Sequence, residues 1–499
     1  MTVVTSGVMT VELRPHEGLI IGERINPTGK RLLKEAYQKG DVAYVLREAV
    51  KQVDAGAKIL DVNCGVPGLD EAAVLDATVQ AVQGVVNCPL QIDTADPAAL
   101  ELALRHVNGK PLVNSVNGAR KSMDAVFPLV SKYGGAIVAL CLDENGIPAT
   151  SEGRLAVARK ILVEGGKYGF SKDDFVFDAL TLAVSAAPDA ALVTLDTVKR
   201  LTDELGVNTV LGISNVSFGL PNRPALNNAM YTLAKRAGLS AAIANPSVIG
   251  EIDDESAFDV LLGRDVNCER WIRSAPILGA PSVPTPRLKN NVEALKDSIV
   301  RGLKQDAADN AKAVLDEGLQ PMDVIQSVIV PALEEVGKGF EKSTVFLPQL
   351  LMAADAAGEA FAVVKTHISV SSRSSLLAPP SSPIVLATVK GDVHDIGKNI
   401  VRALLENYGF EVIDLGRDVP PEKIVATAKK CGAMMVGLSA LMTTTVGAMA
   451  ETISCLKAAG VACKTVVGGA VVTQEFADSI GADFYAKDAM CTVRIAESL

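Results

Sequence analysis

Aromatic side chains are scarce in this chain of 499 residues: 4% of positions, with one tryptophan, and only four histidines stand beside them. Its cores must be built from small and branched aliphatic side chains, the composition of parallel sheets covered by helices. The eight cysteines are scattered, with no Cys-x-x-C, which excludes a disulfide scaffold and fits reduced thiols in the cytoplasm. There is no basic run and the net charge is −10, which argues against nucleic acid or an anionic membrane as main partner. No apolar run is long enough to span a bilayer. Residues 1–10 lack the basic-then-apolar pattern of a secretion signal. Length alone predicts two to four domains.

What is present is alternation. Apolar, β-branched runs at 19–26, 57–64, 90–95, 112–117, 136–142, 175–182, 209–216 and 241–245 are mostly separated by stretches of helical periodicity, such as 42–55 and 194–205. Eight strand–helix units in roughly 280 residues predict an α/β fold that opens with a (β/α)8 TIM barrel over residues 1–285. A Pro-rich linker at 279–291 leads to a wholly helical stretch, read as a bundle over 290–370. A Ser- and Pro-rich linker at 369–382 precedes a second α/β segment, 383–499, with buried runs at 383–389, 433–438 and 464–467.

Barrels carry chemistry at the C-terminal ends of their strands. Here those ends hold Glu23, Arg24, Asn26, Asp61, Asn63, Asp93, Asn114, Asn117, Asp178, Asn215 and Asn245. Singly, Asp and Asn cap helices and make turns. Converging on one rim, they suit a ligand with mixed donors and acceptors, such as a pterin, whose pyrimidine edge sets an exocyclic amine beside a ring N–H.

The segments Gly22-Glu23-Arg24-Ile25-Asn26, Asp61-Val62-Asn63, Ile92-Asp93-Thr94, Asn114-Ser115-Val116 and Gly212-Ile213-Ser214-Asn215-Val216-Ser217 resemble the pterin-binding barrel of methyltetrahydrofolate methyltransferases. The resemblance implies that Asp93, Asn114 and Asp178 hold the pterin, with Glu23, Asn26, Asp61, Asn63 and Asn245 on the same rim. It implies that Asn215 meets N5, the nitrogen bearing the methyl group. Dihydropteroate synthase shares the barrel but would not need the rest of the chain.

In the second half, Asp392-Val393-His394-Asp395-Ile396-Gly397 follows the run at 383–389 and precedes a helix read at 400–408. A strand-to-helix loop is where open α/β sheets hold ligands, and a carboxylate can fix a neighbouring imidazole's tautomer. With Ser439-Ala440-Leu441 and Gly468-Gly469, this stretch resembles the signature of corrinoid proteins that bind cobalamin with its own base displaced. The resemblance implies a Rossmann-like, flavodoxin-like domain with His394 as the cobalt ligand. Asp392 and Ser439 would form a proton relay behind it. Gly397, Leu441, Thr443, Gly468, Gly469 and Ala470 would line the slot for the displaced tail. Segments around Val330-Pro331, Phe340 and Phe346-Leu347-Pro348-Gln349 resemble the four-helix cap of such proteins, with Phe340 and Leu347 shielding the cofactor.

Together the resemblances imply methyl transfer from N5-methyltetrahydrofolate to Co(I) cobalamin, giving methylcobalamin and tetrahydrofolate. Asn215, Asp93 and His394 would be the catalytic residues. A cysteine-based zinc barrel for homocysteine and a reactivation domain are not expected within these residues, so a separate methyl acceptor and a reductive activator would be partners. Two alternatives stay open: the reverse transfer from a corrinoid to tetrahydrofolate, and a non-catalytic cobalamin sensor or carrier. An adenosylcobalamin mutase is disfavoured, because its large upper ligand would not fit under Phe340 and Leu347.

Overall fold

The structure, a computed structural model, describes all residues except 275–289, 342–343, 368–381, 393–395, 409, 442–444 and 470. Both expected linkers fall largely outside the described residues. These residues form two compact units, Met1–Ala275 and Pro276–Leu499.

The first unit is a closed barrel of eight parallel strands, preceded by a hairpin. The hairpin pairs β1 (Thr2–Thr5) with β2 (Thr10–Leu13) and was not anticipated from sequence. The barrel strands are β3 (Leu19–Ile25), β4 (Ile59–Val62), β5 (Leu90–Asp93), β6 (Leu112–Asn117), β7 (Ala136–Leu140), β8 (Phe175–Asp178), β9 (Asn208–Gly212) and β10 (Ala241–Ala244). They neighbour one another in sequence order, and β10 closes on β3. Most are shorter at the C-terminal end than their apolar runs suggested, because polar residues there turn out of the ladder into loops. The largest change is at β9. The run expected through 216 leaves the strand at Gly212 and continues as one turn of 3-10 helix, Ile213–Ser217.

Ile21, Ile59, Leu112, Val138, Val176, Val210 and Ala241 form one interior cluster with Val4 and Leu13 of the hairpin. The hairpin thus plugs the N-terminal end of the barrel. Side chains alternate along a strand. Two residues beyond Ile21, Ile59, Leu112 and Val176 stand Glu23, Asp61, Asn114 and Asp178, which therefore face the interior at the opposite end. The apolar periodicity of the core places the polar rim.

The second unit contains helices Asn291–Val300 and Lys304–Asp316, a helical run from Pro321 to Glu341 with one π turn, and helix Leu347–Thr366. A five-stranded parallel sheet follows: β11 (Ile384–Thr388), β12 (Val412–Asp414), β13 (Met435–Ser439), β14 (Lys464–Gly468) and β15 (Phe484–Ala486), ordered β12-β11-β13-β14-β15. That order is flavodoxin-like, and it reverses between β11 and β13, where such sheets open a crevice at their carboxyl ends. The stretches read as separate domains, 290–370 and 383–499, share a core: Val336, Leu350 and Ala353 pack with Ile384, Leu386 and Leu405. Phe340 is half-buried against this cluster. Leu347 begins its helix, and its side chain lies outside the described residues.

Among the described residues no helix is long and apolar enough to cross a membrane. All eight cysteines are free.

Candidate functional site

The mouth of the barrel is built from paired carboxylates and amides. Asp93 stands opposite Asn114 in the β5–β6 register, and Asp61 opposite Gln91 in β4–β5. Asn63, one residue past β4, donates through Nδ2 to Asp93 Oδ2 at 3.1 Å. Its Oδ1 accepts from the Gly65 N–H at 3.0 Å, which fixes the amide's orientation. Gln91 Nε2 donates to Asp61 Oδ1 at 2.6 Å, while its fully buried Oε1 has no hydrogen-bond partner among the described residues.

Burial dominates the acidity of these groups. It pushes Asp93 up to about 6, assisted by the charge of Glu71 and opposed by the Asn63 bond. Asp178 is also pushed up to about 6 by burial, against the Leu180 N–H at 2.7 Å and the charge of Arg154. Asp61 is only 2% exposed and is raised well above the ordinary carboxylate range by burial and by Asp93 beside it. Glu23 is raised by burial against the pull of Lys30, Arg24 and Arg223. Lys30 is itself lowered by burial, and its Nζ donates to the Glu23 and Asn26 carbonyls, both at 3.1 Å.

Other expected residues divide into two groups. Asn26 and Asn245 each spend their side-chain oxygen on a local turn, accepting from Thr28 N at 3.0 Å and Ser247 N at 3.2 Å. These bonds are the turn-making role open to any asparagine, and they leave both NH2 groups free to point elsewhere. Asn114 and Asn215 make no side-chain hydrogen bond among the described residues. Asn215 is exposed on its 3-10 turn.

Sequence reading missed several residues here. Gln91 follows from alternation, two positions before Asp93. Arg154 is 1% exposed and donates to the carbonyls of Ala179 at 2.7 Å and Leu180 at 3.0 Å, bracing the loop that leaves Asp178. A signal existed, since Arg154 falls four and seven residues before Ala158 and Ile161 on the buried face of helix Ser151–Gly166. Glu71, which accepts from Thr94 Oγ1, had none.

In the second unit, the loops after β11 and β13 flank the point where strand order reverses. Asp392 is fully buried. Its Oδ2 accepts from the Leu441 N–H and from Thr445 Oγ1, both at 2.7 Å, and its carbonyl accepts from Asp418 N at 2.9 Å. The hydroxyl seen on Asp392 is thus that of Thr445, in place of the Ser439 expected for the relay. Ser439 ends β13 and makes no side-chain hydrogen bond among the described residues. His394, Thr443 and Ala470 lie outside the described residues. Gly397 stands in the first turn of helix Ile396–Asn407, which starts before the predicted 400, so it is a helical residue and not a loop residue.

The glycines of these loops differ in the space beside them. A Cβ at Gly469, where φ is +133°, would lie 1.9 Å from the Ala440 carbonyl oxygen, so only glycine lets these two loops touch. Gly468 ends β14 beside it. Gly397 and Gly416 face open space, and Leu441 is 37% exposed on the same side of the sheet. The buried acceptor, Asp392, stands two residues before the one histidine of the segment.

These two arrangements correspond to families already defined. Residues 22–245 match the pterin binding enzymes. Residues 292–365 and 382–494 match two B12 binding domains. The chain therefore joins a pterin-binding barrel to a B12-binding region, and cobalamin is its cofactor. It is 30% identical to methionine synthase of Mycobacterium tuberculosis over 500 residues and 29% identical to that of Mycobacterium leprae over 496 residues. In both cases 94% of this chain aligns with 41% of the relative, so the chain spans about two-fifths of those proteins. A solved methanol:cobalamin methyltransferase complex from Methanosarcina barkeri is 32% identical, covering 43% of this chain and 80% of that one, with a TM-score of 0.36.

Proposed function

We propose that the protein transfers a methyl group from N5-methyltetrahydrofolate to cobalamin and hands it to a separate acceptor. The observation that carries this reading is the carboxylate–amide set at the barrel mouth, joined in one chain to a B12-binding region. Asp93, Asn114 and Asp178 match the donor-rich pyrimidine edge of a pterin, and Asn63 holds Asp93 in place through a 3.1 Å bond. Glu23, Asn26, Asp61 and Asn245 complete the polar wall. Burial and the neighbouring Asp93 both raise the pKa of Asp61, which disfavours a second anion at that side of the mouth.

Bound cobalamin supplies a Co(I) nucleophile, and the remaining tasks fall to the chain. A secondary amine leaves poorly unless its nitrogen is stabilised. The free amide of Asn215 can donate to the N5 lone pair and, by rotating, accept once N5 carries a proton. Such a bond strengthens as the methyl–nitrogen bond breaks, so it favours the transition state over the bound substrate. On the other unit, His394 is assigned as the cobalt ligand, with Asp392 behind it and Thr445 as the hydroxyl that exchanges a proton with Asp392. A reductive activator is the second partner implied.

The test is direct. Purified protein reconstituted with cobalamin and reduced should lose Co(I) absorbance when methyltetrahydrofolate is added. An unchanged spectrum at saturating folate would overturn the reading.

A further inference from the structure

Asn215 rides on the five-residue 3-10 turn Ile213–Ser217, a conformation with poorer hydrogen bonds than an α-helix. Its own side chain anchors nothing, so the turn alone decides where the amide points. Beside the Ser217 Oγ–Ser214 carbonyl contact of 3.2 Å within the turn and the Val184 N–H on the Val216 carbonyl, the turn is held from the start of helix Arg223–Ala237. Arg223 Nη2 donates to the Ser214 carbonyl at 2.7 Å, and Arg223 Nε donates to Ser217 Oγ at 3.0 Å. Ser217 Oγ in turn donates to Asn227 Oδ1 at 2.7 Å. Arg223 and Asn227 are four residues apart and share a helix face. One planar guanidinium therefore grips the turn on both sides of Asn215, and the helix backs it at a second point. The charge of the same cation also acts on the Glu23 carboxylate of β3, which only β10 separates from β9.

We propose that Arg223 is a positioning residue for methyl transfer: it clamps the Ile213–Ser217 turn so that Asn215 is aimed at N5. This rests on the methyl-transfer reading above. Two donors in a fixed fork are needed, which lysine cannot reproduce.

The experiment is a double-mutant cycle between Arg223 and Asn215 in the full chain loaded with cobalamin. It is read by single-turnover loss of Co(I) and, separately, by methyltetrahydrofolate affinity. Misplacing a reacting group by about 1 Å can cost on the order of 10²-fold in rate. Arg223→Gln should accordingly slow transfer by about 10- to 100-fold while folate affinity stays near wild type. Arg223→Lys, which keeps the charge and one bond, should recover part of the rate and serves as the test should the Gln variant not fold. In an Asn215→Ala background, Arg223→Gln should cost little more, because the group it aims is gone. Fully additive losses would overturn the proposal, as would weakened folate binding with an unchanged rate, which would make Arg223 a substrate anchor and leave the methyl-transfer reading intact. Absence of folate-dependent Co(I) loss in the wild type would remove that reading and the proposal with it.

Discussion

The two ends of the barrel are both polar, yet they differ in how their groups are satisfied. At the N-terminal end a neutral network closes on itself. Thr2 Oγ1 donates to the Phe175 carbonyl at 3.2 Å, and Asn208 Nδ2 donates to Thr2 Oγ1 at 3.0 Å. Ser240 Oγ donates to Asn208 Oδ1 at 2.8 Å and accepts from Thr209 N at 3.2 Å. At the C-terminal end burial raises the pKa of Asp61, Asp93, Asp178 and Glu23. Gln91 keeps a buried acceptor with no partner among the described residues. Both ends are held in the same ladder of strands. A closed network is what stability asks of buried polar groups, whereas surplus acceptors cost stability and make sense only if a ligand brings donors.

Four changes would break or sharpen this contrast. The largest effect belongs to the mouth. Asn215→Ala should slow single-turnover methyl transfer by roughly 10²–10³-fold, the usual loss of one preorganised donor, and more than it weakens folate binding. Stopped-flow loss of Co(I) at saturating folate measures it, and a wild-type rate would confine Asn215 to anchoring.

Next come Asp93→Asn and Asp178→Asn. Each sets an amide donor against a ligand donor and should weaken folate binding by about 1–3 kcal/mol, measured by calorimetry. Unaltered affinity in both variants would place the pterin edge elsewhere.

The same two carboxyls predict opposite pH dependences for binding and stability. Both have folded values near 6 against an ordinary 3.8. Their contribution to folding is therefore fully present below 3.8 and lost as pH rises through about 6, so thermal stability of the ligand-free barrel should fall across that window. Folate affinity should rise across it, because ionisation restores the acceptors. The doubly substituted Asn variant should flatten both curves.

The smallest effect lies at the plugged end. Asn208→Ala would leave the Ser240 hydroxyl without its acceptor and remove the donor to Thr2 Oγ1, and should lower unfolding free energy by about 1–3 kcal/mol. Folate affinity should not move. If it did, the two ends would be coupled through the interior and the contrast between them would fail.

Much of the barrel was legible in sequence because its strands are buried on both faces and read as unbroken apolar runs. Once Ile21, Ile59, Leu112 and Val176 are read as inward, alternation alone sets Glu23, Asp61, Asn114 and Asp178 at the mouth. In the second unit the runs at 383–389, 433–438 and 464–467 were legible for the same reason, whereas the partly exposed β12 and β15 carry no such run and the flavodoxin-like fold came from the resemblance. Harder to see were residues whose meaning depends on a partner far along the chain. Nothing near Thr445 indicates that its hydroxyl meets Asp392, 53 residues away. Nothing near Arg223 tells that its fork closes on Ser214 and Ser217 rather than on solvent. The short hairpin at Thr2–Leu13 was overlooked because two four-residue strands carry little periodicity of their own.

By itself, then, the sequence determined the alternating architecture and the ring of carboxylates and amides at the strand ends, because each follows from local period and residue chemistry. Only the tertiary structure decided which of those groups are satisfied and which are left for a ligand. It paired Asn63 with Asp93 and Gln91 with Asp61, spent one oxygen of Asn26 and of Asn245 on turns, and moved Asn215 off its strand onto a turn held by Arg223. The physical reason is that hydrogen bonding and burial are properties of neighbours in space. A carboxylate's proton affinity is set by what surrounds it after the barrel has closed.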